Sequence, residues 1–190
     1  LITPLLLSFT DSTVLGTCMT ICALGMLLGS LYIGIKSIKR DFQKILGGSL
    51  FLAGLFMIGL GFRENLISIT IFGFLFFFMM PFANMSIDYL VRTNIENEFQ
   101  GRIWSIVGLI SQLGYVLCYA VIGPLGDFVF KPLLESDGAL ANSLGRVIGT
   151  GEGRGFALLI IVSGLLLSII SLALARNQKV KALKQSSPSK

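Results

Sequence analysis

The hydrophobic positions of this chain fall into five long, nearly continuous runs, with the polar positions lying between them. A helix needs about 20 mostly apolar residues to cross a bilayer. The runs that approach this length predict five spans, named A to E, at about residues 13–35, 45–62, 66–90, 103–130 and 156–175. Residues 1–9 are apolar but too short to cross. We therefore interpret them as the end of a truncated helix, and expect the chain to be a piece of a longer protein.

Helices are favoured because backbone polar groups in lipid must be bonded within the segment or within a closed barrel. Barrel strands are about 10 residues long and alternate in polarity, whereas these runs are continuous and longer. The sequence thus predicts an all-α integral membrane protein, with a transmembrane helical bundle over residues 1–175. The basic segment 176–190 is expected to be a disordered cytoplasmic tail that lies near anionic lipid headgroups.

Composition agrees with a membrane protein and removes several kinds of chemistry. The 190 residues are 54% hydrophobic and 13% charged, against about 25% charged in soluble domains. There is no histidine, and the three cysteines all lie inside apolar runs. We therefore expect no metal, no cofactor and no enzymatic activity. The net charge of +5 is concentrated between the spans, so nucleic acid is not an expected partner.

The basic residues predict the orientation of the chain in the membrane. Lys and Arg are enriched in cytoplasmic loops. The A–B loop, the C–D loop and the tail together hold 11 of them, whereas the B–C and D–E loops hold 4. We expect a multi-pass protein of a bacterial plasma membrane, with the N-terminal end outside and the tail in the cytoplasm.

Two spans carry a polar or aromatic face. At about 100° per residue, span D places Trp104, Ser111, Gln112, Tyr115 and Tyr119 on one side. Span C has a stripe that includes Thr70, Gly73, Phe77, Pro81, Asn84 and Asp88, with Phe72, Phe76 and Met79 on its other side. Spans B and E are apolar nearly all round, which favours a peripheral position. This pattern is typical of a bundle around a polar cavity that C and D share.

Several of these residues have a structural alternative that the sequence leaves open. Asn84 can bond to a neighbouring helix, and Asp88 can pair with Arg92 four positions on. Asp127 can exchange protons at the membrane boundary or simply cap a helix. Gly25 and Gly29 form a close-packing motif. Pro81 and Pro124 are likewise assigned to helix packing and kinking.

In addition, the layout resembles the C-terminal half of a major facilitator superfamily permease, in the bacterial macrolide-efflux-like branch of drug antiporters. The resemblance is carried by short stretches in the same order relative to the spans: Thr3-Pro4-Leu5, Leu15-Gly16-Thr17, residues 25–30 (GMLLGS), residues 100–105 (QGRIWS), residues 123–127 (GPLGD) and the glycine-rich residues 149–155. It implies that spans A to E are helices eight to twelve of a twelve-helix carrier, and that residues 1–9 end helix seven.

The resemblance also implies a mechanism and partners. It implies proton-coupled efflux of a lipophilic drug-like molecule by alternating access, completed by a missing N-terminal half. The family's basic gating motif falls on residues 29–40, where Lys36, Lys39 and Arg40 keep the charge but Ile33 stands at the expected aspartate position. The residues expected to face substrate are Phe77, Asn84, Ser111, Gln112, Tyr115 and Tyr119. Those expected in proton transfer or gating are Asp88, Asp127, Lys36, Lys39, Arg40 and Arg102.

Other functions remain open at this point. The same fold can carry a nutrient, a lipid or a peptide, because fold does not fix substrate. A non-transporting membrane scaffold is a further alternative. A membrane-embedded enzyme is disfavoured, since no nucleophile, metal cluster or acid pair lies at one depth.

Overall fold

The structure is a computed structural model that describes residues 2–36, 41–62, 65–134, 148 and 154–176. Every element in these residues is helical, as the sequence predicted. The helices are α1 (Ile2–Leu7), α2 (Ser12–Ile35), α3 (Phe42–Gly61), α4 (Leu66–Asn94), α5 (Asn97–Pro124), α6 (Lys131–Leu134) and α7 (Arg154–Arg176), with a π-helical segment, Leu125–Phe130, after α5. Five stretches are long and apolar enough to cross a membrane, and they correspond to spans A to E. The predicted tail after Arg176 lies outside the described residues.

Two helices extend beyond the apolar runs from which they were predicted. Helix α4 continues to Asn94, and α5 begins at Asn97. The last turns of α4 are supported by an ion pair at helical spacing, in which the Arg92 Nε–Asp88 Oδ2 distance is 2.9 Å. The polar ends are stable as helix because such neighbours lie on the same face, although they are too polar to be counted within a span.

Four of the spanning helices pack side by side in the order α2, α4, α3, α7. Helix α1 touches both α2 and α7, the two ends of this row, so the row is curved. Leu5 and Leu6 of α1 are almost fully buried, and Cys22, Leu60 and Ile160 of the row belong to the same apolar cluster. The core therefore lies in the hollow of the curved row, with α1 inserted into it.

Small residues set the close approach of α3 and α7. Gly47, Gly54 and Gly61 recur every seventh residue along α3, as Ala157, Gly164 and Ser171 do along α7. A Cβ atom placed on Gly54 would lie 2.8 Å from the Gly164 carbonyl oxygen, and one on Gly61 would lie 2.6 Å from that of Ala157. A seven-residue repeat keeps one seam in register along two helices, so the two backbones touch along their length.

The α2–α4 contact uses the stripe of α4 that the sequence assigned to a polar cavity. The Cys18 Sγ and Thr70 Oγ1 atoms are 3.1 Å apart. A Cβ atom on Gly73 would lie 2.6 Å from the Cys22 Sγ atom, and one on Gly29 would lie 3.3 Å from the Pro81 Cγ atom. The Thr70, Gly73 and Pro81 positions of this stripe thus lie at the close contact between α2 and α4.

Helix α5 stands apart from this row. None of its residues is buried, and it makes few close contacts with the row. The π-helical segment after it packs against α7, where a Cβ atom on Gly126 would lie 2.5 Å from the Phe156 ring. The chain is therefore held at the far end of α5 and is loosely held along α5 itself.

The peripheral position expected for spans B and E is wrong for span B. Span B corresponds to α3, which lies between α4 and α7. A helix that is apolar all round suits a buried place as well as a lipid-facing one, and the glycine seam decides between them here. Apolarity alone does not distinguish the two positions.

Candidate functional site

An apolar cavity lies between α5 and the rest of the bundle. Its volume is about 390 Å³, within the range of about 300–1,000 Å³ that is usual for small-molecule sites. Five helices contribute to its wall, which consists of Ile2, Thr3, Met57, Leu60, Phe76, Tyr115, Cys118, Tyr119, Ile122 and Ile160.

The cavity lies toward one end of the bundle. Gly61 ends α3, Leu66 begins α4 and Arg154 begins α7, and the packing of Gly61 against Ala157 brings these ends together. Leu60 and Ile160 lie near this end, whereas Phe76 lies about three turns into α4. The cavity therefore reaches from this end toward the middle of the spans.

The wall is apolar and aromatic, with a few neutral polar groups. None of the described residues that line it is charged. Its polar side-chain groups are the hydroxyls of Thr3, Tyr115 and Tyr119 and the thiol of Cys118. No group of three or more potential metal ligands occurs in the described part of the chain. Such a wall can bind an apolar body and offer one or two hydrogen bonds to it.

The structure brings two of the six predicted substrate-facing residues to the cavity, Tyr115 and Tyr119. Both remain largely exposed, at 63% and 78%. Ser111 and Gln112 lie N-terminal to Tyr115 on α5 and are exposed. Asn84 is exposed on α4. Only the second half of the polar face of α5 thus takes part.

Phe77 does not line the cavity and packs against the buried apolar cluster instead. Its neighbour Phe76 takes that place, and the two rings meet edge to face with centroids 5.5 Å apart. Phe76 lies on the side of α4 opposite the stripe that the sequence assigned to the cavity. The helical pattern identified two faces on α4, but it did not identify which face was sealed by α2.

The predicted gating and proton residues do not form a cluster in the described structure. Asp88 pairs with Arg92, which is the structural alternative for this residue. The Lys36 Nζ atom lies 5.6 Å from the centre of the Tyr32 ring, and Arg102 is exposed. Lys39, Arg40 and the side chain of Asp127 lie outside what the structure describes.

The predicted packing residues lie at helix contacts or at a change of helix type. Gly25 and Gly29 are buried against the Phe74 and Phe78 carbonyl groups of α4. Pro81 lies against Gly29, and Pro124 is the last residue of α5 before the π-helical segment. Proline removes a backbone donor from a helix, so Pro124 falls where the hydrogen-bonding pattern changes.

Sequence reasoning missed most of the wall. Met57, Leu60, Ile122 and Ile160 are ordinary apolar residues in ordinary apolar runs, and no local signal separates them from lipid-facing neighbours.

The sequence pattern also places Arg154 in the D–E loop. In the structure this residue begins α7 and is 2% exposed. It is the only buried charged side chain among the described residues.

A scan against protein-family models and searches of curated proteins and of solved structures find no match to this chain.

Proposed function

We propose that the chain forms part of a secondary transporter that exports a lipophilic small molecule across a bacterial plasma membrane by alternating access, driven by protons. The observation that carries this proposal is the loosely packed α5, whose aromatic half forms one wall of a cavity of about 390 Å³.

Alternating access requires one group of helices to move against another around a binding site. Helices α2, α4, α3 and α7 pack tightly through small residues, and this favours their moving as one body. Helix α5 has no buried residue and is held mainly through the π-helical segment at its end. A rigid row and a lightly held spanning helix are the parts that such a movement uses.

The short stretches that resemble the C-terminal half of a major facilitator superfamily permease support the same proposal. In that reading a further set of helices, on the N-terminal side, covers the exposed polar face of α5. Ser111 and Gln112 would then face this second half, since a glutamine amide is costly to leave in hydrocarbon.

The test is dye accumulation in bacteria that express the complete reading frame containing this chain. We expect a neutral lipophilic dye to accumulate less than in cells with empty vector, and a protonophore to abolish the difference. Gln112→Ala and Asp127→Asn should weaken efflux, while Ile106→Ala, on the apolar side of α5, should not. Equal accumulation with and without the protein, at confirmed membrane expression, would contradict transport.

A further inference from the structure

The cavity beside α5 has no charged residue in its described wall, a composition that disfavours charged ligands. We propose that it is a binding site for an uncharged, largely apolar small molecule, and that it discriminates against anions and cations of the same size. The inference rests on the proposed transport function and deepens it, because it names the chemical class of the transported molecule. Binding itself can be tested apart from transport.

The absence of charge from the described wall is the first argument. Moving an ion from water into an apolar site is costly unless a partner charge or several hydrogen bonds compensate it. The described wall offers hydroxyl and thiol groups and no charged partner. A neutral ligand has no charge to desolvate when it enters such a site, and the removal of its apolar surface from water is favourable.

The spacing of the polar groups is the second argument. Tyr115 and Tyr119 are four positions apart on α5, so their side chains follow one another along one face. The apolar residues Met57, Leu60 and Ile160 come from α3 and α7 across the cavity. A ligand with one hydrogen-bonding group and an aromatic or aliphatic body matches this division into a hydroxyl-bearing side and an apolar side.

The location is the third argument. Asn84, Ser111 and Gln112 of the predicted shared interior do not line this cavity. The cavity meets α4 at Phe76, on the other side of the helix from the stripe sealed by α2. Five helices of this chain thus contribute to the described wall, and α5 contributes to it from Tyr115 onward.

The experiment compares two dyes with the same skeleton on the purified full chain in detergent. The neutral probe is N-phenylnaphthylamine, and its anionic counterpart is anilinonaphthalene sulfonate, which adds one sulfonate. We expect a saturable rise in emission with the neutral dye and at least about tenfold weaker binding of the sulfonate. Equal affinity for the two dyes would overturn the charge selection.

Variants locate the binding. Met57→Trp fills the cavity and should weaken the neutral dye at least about tenfold, and Ile160→Phe provides a smaller filling change on α7. Leu55→Trp is the matched control, because Leu55 lies two positions away on α3 and is 43% exposed outside the cavity wall. Tyr119→Phe removes one hydroxyl and should cost about threefold. Unchanged binding in both filling variants, with monodisperse protein, would overturn the site.

The two proposals fail differently. Binding that responds to Met57→Trp, in a protein that exports nothing, would refute transport and keep the site. Dye binding that is unchanged in Met57→Trp and Ile160→Phe, in a protein that exports, would refute the site and keep transport. Displacement of the dye by added phospholipid in proportion to its acyl chains would assign the cavity to lipid, and would overturn the proposed ligand class.

Discussion

Ser171 shows how much a single polar side chain contributes between two apolar helices. Its hydroxyl donates to the Gly47 carbonyl oxygen of α3 at 2.6 Å, and the residue is 1% exposed. Ser163, on the same helix, donates at 2.8 Å to the Leu159 carbonyl oxygen of its own helix. The first hydrogen bond joins α7 to α3, whereas the second adds nothing between helices.

Ser171→Ala should therefore destabilise the folded chain by about 1 kcal/mol, a typical value for a hydrogen bond between membrane helices. Ser163→Ala, the matched control, should change stability by less than about 0.5 kcal/mol. The measurement is reversible unfolding in mixed micelles. Equal losses in the two variants would show that the α3–α7 bond contributes nothing specific.

The cysteines give a second prediction at this scale. Cys18 and Cys22 are buried between α2 and α4, whereas Cys118 is exposed on α5. Alkylation needs a thiolate that the reagent and water can reach. The native chain should thus gain one maleimide adduct by intact mass, and three after denaturation. Cys118→Ser should abolish the native adduct, and two native adducts would contradict the burial of the α2 thiols.

The sequence predicted Tyr115 and Tyr119 because aromatic side chains at helical spacing mark a face. It could not predict Met57 or Ile160, because their role comes from the position of a neighbouring helix. Asn84 is a different case, because it is exposed on α4 and does not line this cavity. A polar residue in an apolar span indicates that something must satisfy it, but it does not indicate that a cavity lies there.

At the scale of elements, the glycines divide into those that touch another helix and those that do not. A Cβ atom on Gly54 would meet the Ser168 hydroxyl and the Gly164 backbone, whereas one on Gly48 would find nothing within 4 Å. Both glycines lie in α3 and have the same helix propensity cost. They therefore form a matched pair that separates packing from propensity.

Gly54→Val should cost about 1–3 kcal/mol, the usual cost of overpacking a close contact, because the backbones of α3 and α7 must move apart. Gly48→Val should change stability by less than about 0.5 kcal/mol. The measurement is the thermal midpoint of monodisperse protein in detergent. A similar loss in both variants would mean that α3 does not contact α7 through this seam.

The elements themselves were largely predictable, and their neighbours were not. Five apolar runs correspond to the spanning helices, with ends displaced by a few residues where polar turns continue the helix. Which helix lies beside which depends on backbone approach. The seven-residue spacing of Gly47, Gly54 and Gly61 in span B is visible in the sequence. It can be interpreted as a packing seam only when the partner helix is known.

At the scale of the whole molecule, the described chain consists of a packed curved row and one helix outside it. The sequence predicts on which side of the membrane each end of these helices lies. Of 15 basic residues, 11 belong to one set of loops and the tail, so the positive-inside rule predicts a cytoplasmic tail. The packing alone does not distinguish the two orientations.

Orientation can be tested with two cysteines in a Cys118→Ser background. Asp11→Cys, before α2, should react with an impermeant maleimide in intact cells, because its end is predicted to be outside. Ser189→Cys should react only after the cells are opened. The measurement is labelling before and after permeabilisation. The reverse pattern would invert the orientation.

The attachment of α5 through the segment that packs on α7 has a consequence for how the chain is made. Helices α2, α3 and α4 leave the ribosome in succession, and α2 and α3 each pack against α4, so the three can assemble within the membrane as soon as α4 is released. Helix α5 emerges next, but its anchor needs Phe156, which is synthesised later. Until the last span is inserted, α5 lacks this contact, and we expect a ribosome stalled before residue 154 to leave α5 unanchored.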